Sequence, residues 1–160
     1  MNFKIGDPII HWAHGLGEIV GIEERILSGE KTLYYIVKIQ SLSVFVPANG
    51  EVSNRLRVPT PKSDFEKLVK ILSGSSESLM EDRFDRKTQL RKALADGKAE
   101  TTCRVIRDLA SFAKKKPLND DDQNIMNRAW SSLCGEWGFA LSMPRDQVER
   151  EIHGILAQSS

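Results

Sequence analysis

The hydrophobic periodicity of this 160-residue chain changes near residue 60. Before that point, stretches such as 3–12 and 31–40 alternate apolar and polar residues and are rich in β-branched and aromatic side chains, which is typical of strands. After it, apolar residues recur every third or fourth position, which indicates amphipathic helices. The chain therefore predicts an α+β protein, with a small antiparallel β-barrel over residues 1–60 and a compact all-α bundle of about five helices over residues 61–160.

Turn residues divide the first sixty residues into short strands. The tetrapeptide SGEK at 28–31 fits a hairpin loop, and Gln40-Ser41 fits a tighter turn. Pro47 is expected to end the fourth strand because it has no backbone N–H to donate. Residues 55–59, RLRVP, are expected to supply a brief fifth strand.

Capping and breaking residues divide the second part into helices. Ser63 and Glu66 have the spacing of a capping box, and the helix they open is expected to stop near Gly74, followed by a flexible joint at 74–78. Further helices are expected over about 79–96 and 100–115. Asn119 is an N-cap candidate before an acidic first turn, and Pro144 is expected to open the fifth helix.

Three short features suggest chemistry at first sight, and each has a simpler interpretation. His11 and His14 are three residues apart in an extended segment, so they are expected on opposite faces, which disfavours a metal site. Gly15 and Gly17 precede a strand and no helix, so they suit backbone turns better than phosphate binding. Cys103 lies on the apolar face of a helix. We expect no metal, no cofactor and no enzyme, with a small enzyme that uses His11, His14 or Cys103 as the weakest alternative.

Composition points to an intracellular protein. No run of about 18 apolar residues predicts a membrane span, and the first ten residues lack a signal-peptide core. The two cysteines suit free thiols in a reducing compartment. We expect a cytoplasmic protein that is a monomer.

The net charge of +1 hides a strong local excess of positive charge. Residues 83–116 carry four acidic side chains and eleven basic ones: Arg83, Arg86, Lys87, Arg91, Lys92, Lys98, Arg104, Arg107, Lys114, Lys115 and Lys116. Arg83, Lys87 and Arg91 follow one another at helical i, i+4 spacing and therefore share a face. Such a surface suits a nucleic-acid backbone, although an ordinary solvated helix face has the same appearance.

Several blocks of the chain resemble the CarD family of bacterial transcription regulators, also called CdnL-like. The stretch FKIGDPIIHWAHGLGEIVGIEER at 3–25 resembles the start of the family, with its F-x-x-G-D opening and H-G-x-G turn. The resemblance continues through YYIVK at 34–38, VFVP at 44–47, LRKALADGK at 90–98, VIRDLASF at 105–112 and the segment 118–141. It covers nearly the whole chain.

The resemblance implies a Tudor-like domain over 1–60 that docks on the β subunit of bacterial RNA polymerase. It also implies a helical domain over 61–160 that touches promoter DNA near the upstream edge of the transcription bubble and modulates open-complex formation. The implied polymerase contacts fall on Arg25, Phe45 and Pro47. Phe45 stands where relatives often carry arginine, and strand alternation between Val44 and Val46 predicts that it faces away from the core.

The second helix departs from the family pattern. Counting back from Gly97 places Arg83-Phe84-Asp85-Arg86-Lys87 where many relatives carry W-x-R-R-Y, whose tryptophan wedges at the bubble edge. Arg86 is retained, and either Arg83 or, with a shift of one residue, Phe84 takes the place of the tryptophan. The implied DNA contacts are Arg83, Phe84, Arg86, Lys87, Arg91, Arg104, Arg107 and Lys114. The alternative is a protein-interaction module with weak or no DNA binding.

Overall fold

The chain divides into two compact units, Met1–Pro59 and Thr60–Ser160, which we call the β unit and the helical unit. The computed structural model describes residues 2–49, 52 and 55–158, except for the side chain of Leu27. Within these residues no helix is long and apolar enough to cross a membrane.

In the described part of the β unit, five strands form one antiparallel sheet in the order β4-β3-β2-β1-β5. The strands are β1 (Pro8–His11), β2 (Gly15–Leu27), β3 (Glu30–Ile39), β4 (Leu42–Pro47) and β5 (Leu56–Arg57). Among the described residues β4 and β5 pair with one neighbour each, so they form the two edges of the sheet. The expected barrel is therefore not closed, because β5 has only two residues with which to continue the ladder.

The turns between these strands follow the sequence signals. Ser28 and Gly29 both have positive φ, 53° and 83°, as the two central residues of a tight β2–β3 hairpin require. Gln40, with φ of 55°, joins β3 to β4. Pro47 is the last residue of β4, as expected.

The two glycines after His14 have different structural roles. Gly15 has a φ of 83°, which a side chain would strain, and it closes the β1–β2 turn opposite His11. Gly17 lies where a Cβ atom would come within 2.6 Å of Cγ1 of Ile39 and 2.8 Å of the Lys38 carbonyl oxygen. One glycine therefore supplies a backbone angle, and the other supplies room for the neighbouring strand.

The described residues of the helical unit form five α-helices after a short 3-10 turn at Lys62–Asp64. They are α1 (Phe65–Ser73), α2 (Arg83–Leu94), α3 (Ala99–Ala113), α4 (Asp120–Leu141) and α5 (Arg145–Ala157). The helix α3 packs against α1, α2 and α4, and its apolar residues Cys103, Ile106 and Leu109 are fully buried. Trp137 of α4 is also buried and meets the ring of Phe65 edge to face.

Of three predicted helix starts, the one at α4 is confirmed, and those at α1 and α2 differ from the prediction. Ser63 lies inside the 3-10 turn, and Asp64, the N-cap of α1, has helical backbone angles and makes no side-chain cap hydrogen bond, so the expected capping box at Ser63 and Glu66 is wrong. At α4 the expectation is confirmed, because Asn119 accepts from the backbone N–H of Asp122 while the Asp122 carboxylate accepts from the N–H of Asn119. The helix α2 is shorter than predicted because Asp82 caps it at Arg83.

His11 holds the β1–β2 corner together through its neutral imidazole. The side chain is buried, and its Nδ1 atom accepts hydrogen bonds from the backbone N–H groups of Ala13, at 3.1 Å, and of His14, at 3.3 Å. Burial lowers the pKa of His11 from 6.5 to about 4, with smaller contributions from the charges of His14 and Arg55. A proton on Nδ1 would remove the acceptor for both bonds.

We predict that the β unit loses stability as the pH falls from 6.5 to 4, because His11 binds a proton in the unfolded chain before it does so in the folded one. The loss should reach roughly 2–3 kcal/mol at pH 4. In His11→Asn the amide oxygen keeps an acceptor without titrating, so this part of the pH dependence should vanish, although the smaller side chain lowers stability at every pH. Urea unfolding followed by amide NMR signals of β1 and β2 would measure it, with His153→Asn as the control. An unchanged slope in His11→Asn would contradict the prediction.

Candidate functional site

The outer face of β2, β3 and β4 brings the predicted polymerase contacts together. The strand register pairs Glu23 with Tyr34 and Tyr34 with Pro47, and it pairs Ile36 with Phe45, so these side chains share one face of the sheet. Arg25, two residues after Glu23 on β2, lies on the same face. We call this set the Arg25–Phe45 face: Glu23, Arg25, Tyr34, Ile36, Phe45 and Pro47.

Phe45 points away from the core, as its neighbours predict. Its exposed fraction is 39 %, whereas that of Val46 is 1 %. The Arg25 guanidinium lies over the Phe45 ring, 4.4 Å from the centroid, and donates to the Glu23 carboxylate at 3.0 Å. The Tyr34 ring lies 6.4 Å from the Phe45 ring. The face therefore presents an aromatic surface with a fixed cation, which suits a protein partner.

The exposed side of α2 is the second candidate surface. The N-cap Asp82 accepts from the N–H groups of Phe84 and Asp85 and thereby fixes the first turn. The Phe84 side chain is 64 % exposed, and the Arg83 guanidinium lies 4.8 Å from its ring centroid. Arg91 is exposed, and Lys87 is partly buried. We call Arg83, Phe84, Lys87 and Arg91 the α2 face.

Arg86, the arginine retained from the family pattern, is buried and points into the helical unit. Its Nε and Nη2 atoms donate to the two carboxylate oxygens of Asp122, both at 2.8 Å. Its Nη1 atom donates to the carbonyl oxygens of Met80 and Glu81, and the guanidinium stacks 4.5 Å from the centroid of the Phe112 ring. The hydrogen bonds to Asp122 raise the pKa of Arg86 above its usual range, so it is always charged.

Arg107 is buried as well. Its Nε atom donates to Asp108 at 3.0 Å and its Nη1 atom to the Ile71 carbonyl oxygen at 3.3 Å, so it ties α3 to α1. The neighbouring Arg104 is exposed, which separates two residues that the sequence placed together, and Lys114 is exposed at the C-cap of α3. We therefore remove Arg86 and Arg107 from the predicted DNA contacts, because their guanidinium groups are buried and already bonded.

Sequence reasoning missed three carboxylates that bind partners far away in the sequence: Asp121, Asp122 and Glu136. The sequence marks Asp121 and Asp122 only as part of an acidic first turn, yet Asp122 binds Arg86, and Asp121 lies 3.4 Å from the Lys87 ammonium. Glu136 is buried in α4 and accepts from the N–H and hydroxyl of Thr60 at 2.7 and 2.6 Å. A glutamate on the apolar stripe beside Trp137 is the signal that could have revealed it.

Neither thiols nor histidines form a reactive site among the described residues. Burial raises the pKa of Cys103 to about 12 and that of Cys134 to about 11, which keeps both thiols protonated. Within the part of the chain that the structure describes, no three metal-ligating side chains lie close enough together to hold an ion.

Two family models match the two units in turn. Residues 3–57 match the CarD-like/TRCF RID domain, and residues 67–153 match the CarD C-terminal domain. The fold and these matches define a two-domain member of a transcription-factor family, which is not a family of enzymes. The chain belongs to the CarD family. It is also 29 % identical, over 150 residues, to a Bacillus subtilis (strain 168) protein named "Putative transcription factor YdeB", with 92 % of this chain and 97 % of that protein covered.

We predict that breaking the buried ion pair destabilises the helical unit far more than breaking an exposed one. Arg86→Met leaves Asp122 as a buried charge without its cation and should lower the free energy of unfolding by about 3–5 kcal/mol. Lys87→Met, one residue away, removes only the more exposed pair with Asp121 and should cost less than about 1 kcal/mol. The double variant Arg86→Met/Asp122→Asn should recover part of the loss. Urea unfolding checks the series, and equal losses for the two single variants would refute the prediction.

Proposed function

We propose that this protein regulates transcription by binding RNA polymerase and promoter DNA at the same time. The β unit docks on the polymerase β subunit through the Arg25–Phe45 face. The helical unit contacts promoter DNA near the upstream edge of the bubble through the α2 face, with Arg104 and Lys114 as further phosphate contacts. Simultaneous binding shifts the equilibrium between closed and open promoter complexes. In this function the protein acts as a monomer in the cytoplasm, at the nucleoid.

The docking surface is supported chiefly by its composition. Interfaces are enriched in aromatic residues and arginine near their centres, and the Arg25–Phe45 face combines both in one stacked pair. The stack holds the guanidinium in place before any partner arrives, so less side-chain freedom is lost on binding. Arg25 already forms an ion pair with Glu23, but this pair is exposed and therefore weak. A carboxylate of the partner could displace Glu23 from the guanidinium.

The DNA contact is supported by the exposed Arg83–Phe84 pair at the start of α2. An exposed aromatic ring can pack on partly unstacked bases, and a neighbouring guanidinium can bind the phosphate backbone. Both side chains are exposed. Either residue can take the position of the family's tryptophan, and we assign them different contacts: the Phe84 ring packs on bases, and the Arg83 guanidinium binds phosphate.

Part of the basic segment is not available to DNA, so binding to DNA alone should be weak. Arg86 and Arg107 are buried, and Lys87 is paired. Docking on polymerase offsets this weak affinity for DNA, because a tethered surface is present beside the DNA at a high effective concentration. The same shortage of free charge favours the alternative function, a protein-interaction module that binds polymerase but not DNA.

We predict that Arg25→Ala/Phe45→Ala weakens binding to the isolated polymerase β subunit by on the order of tenfold or more, since each such anchor typically contributes above 1 kcal/mol. Ile26→Ala is the matched control. Ile26 is next to Arg25 on β2, points to the opposite face and is 64 % exposed. Biolayer interferometry with immobilised β subunit measures both variants. Wild-type affinity in the double variant would remove this face from the interface.

We predict that Arg83→Ala and Phe84→Ala both shorten open-complex lifetimes but affect salt dependence differently. Loss of the guanidinium should reduce the slope of log affinity against log salt by about one, whereas loss of the ring should leave the slope unchanged. Arg150→Ala on α5 is the control for a lost exposed arginine. Lifetimes on a promoter template test the first expectation, and the affinity of the polymerase complex for the same template at several salt concentrations gives the slope. If both variants match wild type while polymerase binding persists, the alternative without DNA contact is supported instead.

A further inference from the structure

Lys87 is the middle cation of the α2 face, and it already has a partner. It lies between Arg83 and Arg91 at i, i+4 spacing, so the three side chains follow one another along the helix. Its ammonium is 3.4 Å from the Asp121 carboxylate, and about a third of its side chain is exposed. A phosphate that bound Lys87 would have to compete with this carboxylate.

The position of Asp121 is fixed by the structure around it. It is the second residue of α4, between Asp120 and Asp122. The next residue, Asp122, closes the capping box with Asn119 and binds Arg86 of α2. The start of α4 is thus tied to α2 by a buried ion pair, and the same tie holds Asp121 beside Lys87.

The two aspartates have unequal effects on a nucleic acid. The charge of Asp122 is neutralised by Arg86 inside the protein, where it faces no ligand. The carboxylate of Asp121 is partly exposed and lies beside Lys87, a cation that phosphate would bind in the proposed DNA contact. An exposed pair of this kind contributes little to stability, so its main consequence is electrostatic.

We infer that Asp121 is a built-in competitor for phosphate and sets the DNA affinity of the α2 face. With Asp121 in place, Lys87 cannot neutralise a phosphate and displace a DNA counterion until the carboxylate moves away. Among the described residues, the α2 face then acts with two cations, Arg83 and Arg91, instead of three. The inference rests on the DNA contact proposed above and adds a negative determinant to it. A competitor of this kind makes DNA binding depend on the tether to polymerase and suppresses binding elsewhere on the chromosome.

The test is DNA binding by Asp121→Asn in the full-length protein. The probe is a fluorescent duplex promoter fragment, followed by anisotropy between about 20 and 200 mM salt. Freeing Lys87 should raise affinity about three- to tenfold near 0.1 M salt and steepen the log–log salt slope by about one. Lys87→Ala/Asp121→Asn should not show this gain in affinity, because the Lys87 ammonium that would bind the phosphate is absent.

Two controls separate this effect from a general loss of negative charge. Asp120→Asn makes the same change one residue earlier in the same helix turn. Asp146→Asn frees Arg150 on α5, because the pair Arg150–Asp146, at 3.6 Å, is another exposed pair. Both should raise affinity less than Asp121→Asn. Circular dichroism melting of each variant confirms that the helices persist.

The failure of this inference differs from the failure of the proposed DNA contact. If Arg83→Ala/Arg91→Ala weakens binding but Asp121→Asn gains no more than Asp120→Asn, the DNA contact stands and the role of Asp121 is overturned. If Arg83→Ala/Arg91→Ala binds like wild type, the α2 face does not contact DNA, and both are overturned.

Discussion

The helical unit is organised around the buried ion pair between Arg86 and Asp122, whose contacts reach three helices. A buried charge is costly unless its hydrogen-bonding groups are satisfied, and here a two-pronged contact is completed by two backbone carbonyls and an aromatic ring. The carbonyls of Met80 and Glu81 belong to the segment before α2, the ring of Phe112 belongs to α3, and Asp122 belongs to the cap of α4. A single guanidinium therefore fixes where three helices begin or end relative to one another.

This constraint explains how the second helix can depart from the family pattern without losing the fold. The departures fall on Arg83, Asp85 and Lys87, of which two are exposed and one is partly exposed, whereas the retained Arg86 is buried. Substitution of a residue that organises packing costs much stability, whereas substitution of its exposed neighbours costs little. Retention of an arginine within a basic motif is therefore no sign that it touches DNA.

The elements of this fold could be predicted from the sequence because each depends on local interactions. Strand alternation placed Phe45 outward, and the Asn119–Asp122 cap follows from residues three apart. The same local logic failed at Ser63, because the chain enters α1 through a 3-10 turn that leaves the serine within a turn, not at a cap. Local signals say which residues can cap a helix, and the path of the preceding backbone decides whether they do.

The partners of charged residues could not be predicted in this way. Arg86 and Asp122 are thirty-six residues apart, as are Arg107 and the Ile71 carbonyl that it binds. Eleven basic residues in one segment looked like a single nucleic-acid surface, but long-range packing assigns two of them to the interior. Counting charges in the sequence therefore overestimates the free positive surface, and the difference lies in contacts that only the tertiary fold creates.

That difference also bears on how such a protein would avoid binding DNA indiscriminately. A stripe of three unpaired cations on α2 would attract any phosphate backbone, since that attraction carries no sequence information. Under the proposed function, the burial of two arginines and the pairing of Lys87 keep the DNA affinity of this surface low, and docking on polymerase raises its effective concentration at the promoter. Under the proposed function, specificity comes from the docking partner, and the weak DNA surface is what allows the partner to confer it.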